Sequence, residues 1–424
     1  MSGVWKGSTL APFRIRSFRF QWPGDLAACW GFEMELLLLN WYVLVETRSV
    51  LMLTIFGALQ YVGTLLAPLV GVIGDRIGYR NLLCIMRATY ATLATTLMLL
   101  TFAGMLRPLH VFVIATLTGL VRSSDLAVRS SLVGETMPSG LLVKAMGFSR
   151  TTNDTARILG ALTGAALVAA LGMGPTYVMI SLLYLTSVAL IWQAGRGSRG
   201  RRAAAARAAS VPGSPWGELR DGFGHVWSTP FLLALMLLAF LVNLTAFPIM
   251  NNLMPYVAKE IYGTDQRGLG YLLAGCAFGA LIGSLTMSRI GGGLQLARTL
   301  VTFSVVWHVL LLVYAQMQSA VAGFFFLMLA GFVQSLTMVS MSTMLIRNAE
   351  ARFRGRVMGI RMFAIYALPL GLLCSGPLIT SVGYPLTALL YCVVGIVVTL
   401  LIAARWRKEL WSAGAPANAT AGNR

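Results

Sequence analysis

Residues 71–81 read Gly-Val-Ile-Gly-Asp-Arg-Ile-Gly-Tyr-Arg-Asn, a short charged segment between two long apolar runs, Val50 to Ile73 and Leu82 to Gly104. Asp75, Arg76 and Arg80 cannot sit in hydrocarbon, while Gly71, Gly74 and Gly78 let backbones approach closely. A tight cytoplasmic turn between two membrane-length helices accounts for all six residues. The rest of the chain can be read outward from that turn.

Of 424 residues, 57% are hydrophobic and only 11% charged. Soluble chains carry about 25% charged residues, so a soluble domain is excluded and a polytopic helical membrane protein is expected. The formal net charge of +19 raises the question of nucleic acid, and the placement of the charges answers it. Arg48, Arg107, Lys259 and Arg267 fall on one side of the membrane, and Arg122, Arg129 and Arg157 fall inside spans. The remaining Lys and Arg residues fall on the other side. That bias reports orientation, with both termini cytoplasmic, and leaves no soluble basic face for nucleic acid. The five cysteines, Cys29, Cys84, Cys276, Cys374 and Cys392, lie in apolar runs and read as small hydrophobes. No cleavable signal peptide, nucleophile–base pair, metal cluster or phosphate loop is evident, so neither an enzyme nor a cofactor is expected.

The hydropathy pattern predicts twelve spans: 22–46, 50–74, 82–105, 109–134, 141–171, 175–193, 230–254, 268–288, 297–316, 320–346, 355–381 and 384–404. Residues 1–21 form a cytoplasmic tail, 22–193 one six-helix bundle, 230–404 a second, and 405–424 a cytoplasmic tail. The 194–229 linker begins with the low-complexity Gly195-Arg-Gly-Ser-Arg-Gly-Arg-Arg202. It ends in Trp216 to Trp227, whose apolar spacing fits an amphipathic helix on the membrane surface, beside a basic run that attracts anionic lipid. The halves repeat at one constant offset. Lys144-Ala-Met146-Gly147 matches Arg356-Val-Met358-Gly359, and Gly63, Gly71 and Gly164 match Gly275, Gly283 and Gly376. A parallel six-plus-six repeat follows. With a one-residue slip, Asp75-Arg76-Ile77-Gly78 is echoed by Ser288-Arg289-Ile290-Gly291, so Ser288 stands where the first copy has Asp75.

With the spans and the repeat in place, G-x-x-x-D-R-x-G-x-R at 71–80 resembles the signature loop between helices 2 and 3 of the major facilitator superfamily of transporters. Asn81 stands where a second basic residue is common. Within that superfamily, Val45-Glu-Thr47-Arg-Ser49, Ala156-Arg-Ile-Leu-Gly160-Ala-Leu-Thr-Gly164 and Arg354-Gly355-Arg356-Val357-Met358-Gly359 resemble the branch of bacterial enterobactin exporters and macrolide-efflux proteins. The resemblance implies the all-α major facilitator fold, with two bundles rocking about a midplane cavity. It also implies a conformational gate. Gly71, Asp75, Arg76, Gly78 and Arg80 would dock on the start of helix 11 around Arg354, Gly355 and Arg356, with Asp75 stabilised by that helix N-terminus. Arg76 and Arg80 would reach acidic groups or lipid phosphates.

Charged groups inside spans cost about 2.5–3.5 kcal/mol each, so each needs a partner or a purpose. Glu33 and Glu35 in the first span lie about 200° apart around a helix. Glu33 shares a face with Trp30, Leu37 and Asn40; Glu35 shares one with Tyr42 and Glu46. One of the two is expected in a cavity as a proton or substrate site, the alternative being a carboxylate paired to a neighbouring Arg. The fourth span carries Arg122, Asp125 and Arg129, and the fifth Arg150, Asp154 and Arg157. In each, an Asp sits between two guanidiniums on one stripe, which suits local pairing. One surplus positive charge per stripe is left to pair with Glu33 or Glu35, or to attract an anionic substrate. In the seventh span Asn243, Phe247 and Met250 share a face and Pro248 is expected to kink the helix. The tenth offers Gln334, Met338, Met341 and Ser342, and Met-lined cavities suit varied apolar ligands. His308 reads as structural.

These features predict a secondary active exporter of a small organic molecule such as a siderophore, drug or amphiphile. Exchange for protons, in the bacterial inner membrane, as a monomer in contact with lipid, completes the expectation. An importer or facilitator of an organic anion is the alternative within transport. A membrane scaffold or sensor is the alternative outside it, and an intact gate loop speaks against that.

Overall fold

The computed structural model describes residues 10–66, 70, 73–74, 76–194, 224, 226–290, 295–348, 361 and 364–412. Every regular element among them is a helix. The elements are α1 (Arg16–Thr47), α2 (Val50–Leu59), α3 (Tyr79–Phe102), α4a (Pro108–Arg122), α4b (Asp125–Thr136), α5 (Ser139–Leu171) and α6 (Met173–Gln193). After the linker come α7 (Pro230–Phe247), α8 (Gln266–Ile290), α9 (Leu296–Gln316), α10 (Ala320–Asn348), α11 (Ala367–Val382), α12 (Tyr384–Arg405) and α13 (Arg407–Ser412). Among the described residues, ten helices are long and apolar enough to cross a membrane. Two shorter apolar ones, Val50–Thr64 and Ala367–Val382, lie where the second and eleventh spans are expected.

The helices form two compact units, Met1–Arg48 with Leu59–Pro212, and Ser49–Ala58 with Gly213–Arg424. In the first, α1 packs on α5 and α6, and α3 packs on α6; in the second, α10 packs on α8 and α9, and α12 on α9 and α7. Lipid is as apolar as a leucine side chain, so such contacts depend on close fit. A Cβ at Gly119 in α4a would stand 2.7 Å from the Leu59 carbonyl oxygen, and one at Gly331 in α10 would collide with the Cys276 carbonyl. Gly331 is the repeat counterpart of Gly119, at the offset that relates Gly63 to Gly275, so the close approach is itself repeated. The turns repeat as well: Gly172 before α6 and Gly383 before α12 have φ of 83° and 84°, open to glycine at little cost.

Two helices depart from a simple span. The fourth is not continuous over 109–134: it breaks at Ser123 and Ser124 into α4a and α4b. The seventh does more than kink at Pro248. Its α-helix ends at Phe247 and continues through two π-helical turns, Pro248–Asn252 and Val257–Ile261. A proline without an N–H, followed by the wider Leu253 N–H to Pro248 carbonyl bond of 3.1 Å, explains the change of pitch.

Of the gate residues, Gly71, Asp75, Arg354, Gly355 and Arg356 lie outside the described residues, as does 216–223 of the amphipathic segment. Gly78 has a φ of 87° and opens α3, its N–H donating to the Gly74 carbonyl at 2.8 Å. Arg76 is exposed. Arg80 is 9% exposed and engages the protein. Its guanidinium lies over the Trp192 ring and donates to the Trp192 carbonyl at the end of α6. The last carbonyls of a helix carry partial negative charge, which makes that carbonyl a ready partner.

Candidate functional site

The first unit holds a buried ionic network. Asp125 opens α4b and is 6% exposed; the Arg87 guanidinium of α3, 2% exposed, reaches it at 2.6 Å. Arg87 also pairs with Asp25 of α1 at 3.1 Å, and Arg129, one turn along α4b, meets Asp125 at 3.0 Å. Neutral groups complete the set. The Gln21 amide donates to the Arg129 carbonyl at 3.0 Å and to Asp25 at 3.3 Å. Arg129 further donates to Asn153 of α5 at 3.1 Å and to the Cys29 sulfur at 3.2 Å. Two carboxylates face two guanidiniums, so the network is internally neutral and ties together α1, α3, α4b and α5. Breaking such a buried pair by deleting one partner costs about 3–5 kcal/mol, because the other charge stays behind without water.

This arrangement corrects the reading of the fourth span. Asp125 lies between Arg129 of its own helix and Arg87 of α3, not between Arg129 and Arg122. The break at Ser123 and Ser124 turns Arg122 away from that stripe, and its guanidinium lies against the Phe32 ring instead. Arg122 forms no ion pair with Glu33 or Glu35 among the described residues. Arg87 and Asp25 were not among the expected site residues; Arg87 was counted with the charges on the cytoplasmic side, but it lies within the expected 82–105 span and is buried.

The other candidates take varied places. Glu35 is 5% exposed and accepts a hydrogen bond from the Tyr184 hydroxyl of α6 at 2.9 Å. Glu33 is half-buried where α5 passes closest, for a Cβ at Gly160 would meet the Glu33 Cβ at 2.5 Å. Tyr61 lies within electrostatic range of Glu33, Arg122 and Arg157. Asp154 and Arg157 are half-buried on α5; the Arg150 side chain lies outside the described residues. Asn40 and Asn243 both donate back to their own helices, to the Leu36 and Ala239 carbonyls at 2.7 and 2.8 Å. Gln334 is buried on α10. Asn243 and Gln334 belong to the second unit.

Among the described residues, ten apolar helices long enough to cross a membrane and two shorter ones, with charge buried within the first unit, define a multi-pass helical membrane protein. The sequence matches the transmembrane secretion effector family over residues 7–420, and the chain belongs to that family. Comparison with curated proteins gives no match. Among solved structures, a bacterial homolog of the human lysosomal transporter Spinster is similar, with a TM-score of 0.69 and 12% identity over 96% of this chain and 98% of that one. The D-xylose–proton symporter is similar with a TM-score of 0.68 and 12% identity, covering 91% and 96%. The nucleoside transporter NupG is similar with a TM-score of 0.67 and 13% identity, covering 92% and 99%. At such identities the likeness speaks for the fold alone.

Proposed function

We propose that this secondary transporter is a proton-coupled exporter of a small organic molecule, working by alternating access in a bacterial inner membrane. The observation that carries the coupling is the environment of Glu35. Asp25 and Asp125 are held by guanidiniums, whereas Glu35 is buried against a phenol. Leaving a carboxylate charged there costs several kcal/mol, and binding a proton removes that cost. Outward direction is supported by the family's description as a secretion effector and by the segments that resemble enterobactin and macrolide exporters. Siderophores, drugs and amphiphiles are the substrate classes to try. In reconstituted vesicles, transport of a labelled member of those classes should stop when the proton gradient is collapsed. Transport that continues unchanged rules out proton coupling.

A second reading, an importer or facilitator of an organic anion, is favoured by one observation. Arg122 is a half-buried cation in a span with no ion-pair partner among the described residues.

A further inference from the structure

The break between α4a and α4b gathers hydrogen-bond donors that have no acceptor. Ser124 is the N-cap of α4b but makes no side-chain cap, so the N–H groups of the twelve-residue α4b's first turn are left uncapped. Its hydroxyl is buried at 2% exposure without a partner, and the Ser123 hydroxyl is likewise buried and unpartnered. Arg122, the residue before them, lays its guanidinium against the Phe32 ring and is in no ion pair among the described residues. Two more donors belong to the neighbourhood. The Gln60 backbone lies against Gly119, one helical turn before Ser123, and its amide nitrogen is buried without an acceptor. The Tyr90 hydroxyl, within electrostatic range of Arg122 and Asp125, is also unpartnered.

A buried donor left unpaired has lost its hydration without recompense, so several around one helix break are a standing cost that an acceptor-only group would relieve. We infer that the α4 break binds an anionic group, a carboxylate, phosphate or sulfonate, with Arg122 as its principal contact. The charge balance agrees. Asp25 and Asp125 are matched by Arg87 and Arg129, which leaves Arg122 as the cation available to a ligand. Glu35, another carboxylate within electrostatic range of Arg122, is engaged by Tyr184. An uncapped half-helix start beside a guanidinium is a geometry that favours anions, and the bidentate fork of Arg suits their paired oxygens. Phe32 adds an apolar wall, so an organic anion with an aromatic or apolar body fits best. This inference rests on the transporter reading for the anion's role as cargo, though not on its direction or coupling ion.

The probe is benzoate, titrated by calorimetry into the protein in nanodiscs of phosphatidylcholine. Saturable binding is expected, with affinity falling about tenfold or more in Arg122→Gln and a few-fold in Ser124→Ala. Gln is the residue that the second repeat carries at this position, Gln334, so the fold should tolerate it. Should Arg122→Gln fail to fold, Arg122→Lys and the Ser123→Ala/Ser124→Ala pair carry the same test. In a parallel arm, native mass spectrometry follows phosphatidylglycerol retained by parent and variant. Loss of retained lipid in Arg122→Gln with no benzoate binding assigns the site to a lipid headgroup; loss of benzoate binding alone assigns it to a soluble anion. If neither probe binds the parent, or neither responds to Arg122→Gln, the inference is overturned. A parent that binds benzoate yet transports nothing keeps this site and removes the transport reading instead.

Discussion

Arg122, Asp125 and Arg129 in the first unit have Gln334, Thr337 and Met341 as their repeat counterparts in the second, at the same offset that relates the paired glycines. Each of those three is 6% exposed or less, so the second set is as dry as Asp125 and Arg129 and drier than the half-buried Arg122. Thr337 satisfies itself by donating to the Val333 carbonyl of its own helix at 2.9 Å. Asp125 cannot do so and draws on two other side chains, one of them from α3. In the second unit, Lys259 pairs with Glu260 in the π-helical turn Val257–Ile261, and that pair is partly exposed. At these three positions the same backbone plan is filled with charge in one half and with neutral groups in the other. A neutral group is indifferent to its neighbour's protonation; a charged network is not. On the proposed reading, coupling and ligand binding draw on the charged groups of the first unit.

The comparison is broken most severely by Arg87→Met, which leaves Asp25 and Asp125 buried without the cation they share. A loss of about 3–5 kcal/mol is expected, read as a large drop in the thermal unfolding midpoint of the purified protein. Adding Asp25→Asn should recover part of that loss, since only Asp125 then remains and Arg129 still pairs with it. Next in size are the helix contacts that both halves share. Gly119→Val and Gly331→Val each push a side chain into a neighbouring carbonyl and should cost about 1–3 kcal/mol alike. A large loss in one and none in the other would show that the repeat is not structurally equivalent there. Smaller again is Tyr184→Phe, which removes the hydroxyl on Glu35 and should cost about 1 kcal/mol while altering the pH dependence of transport. Thr337→Val is expected to change stability by less than about 1 kcal/mol, although its position matches that of Asp125.

The fold was legible because hydrophobic length, loop charge and the glycine repeat are local signals. Gly63 and Gly164, with their counterparts Gly275 and Gly376, could be read without any knowledge of contacts. The site was legible only in part. Glu35 stands out as a carboxylate deep in an apolar run, and Asp125 with Arg129 as an (i, i+4) pair on one helix. The partnership of Arg87 with Asp25 spans 62 residues, and no spacing rule reaches that far. Asp25 was further disguised by the early start of α1 at Arg16, ahead of the expected span, which carries it farther into the helix. The break at Ser123 and Ser124 has no proline or glycine to announce it. It follows from Asp125 meeting Arg87 on α3 while Arg122 packs on Phe32, and those are tertiary contacts.

The central claim is that Glu35, and not the guanidinium-held Asp25, takes up a proton in the first unit. Infrared difference spectra recorded across a drop in pH report protonated carboxyl groups directly by their C=O stretch, without needing a known substrate. The account predicts a carboxyl band that appears on acidification, persists in Asp25→Asn and is absent in Glu35→Gln. A band that survives Glu35→Gln unchanged, or that vanishes in Asp25→Asn, would contradict it.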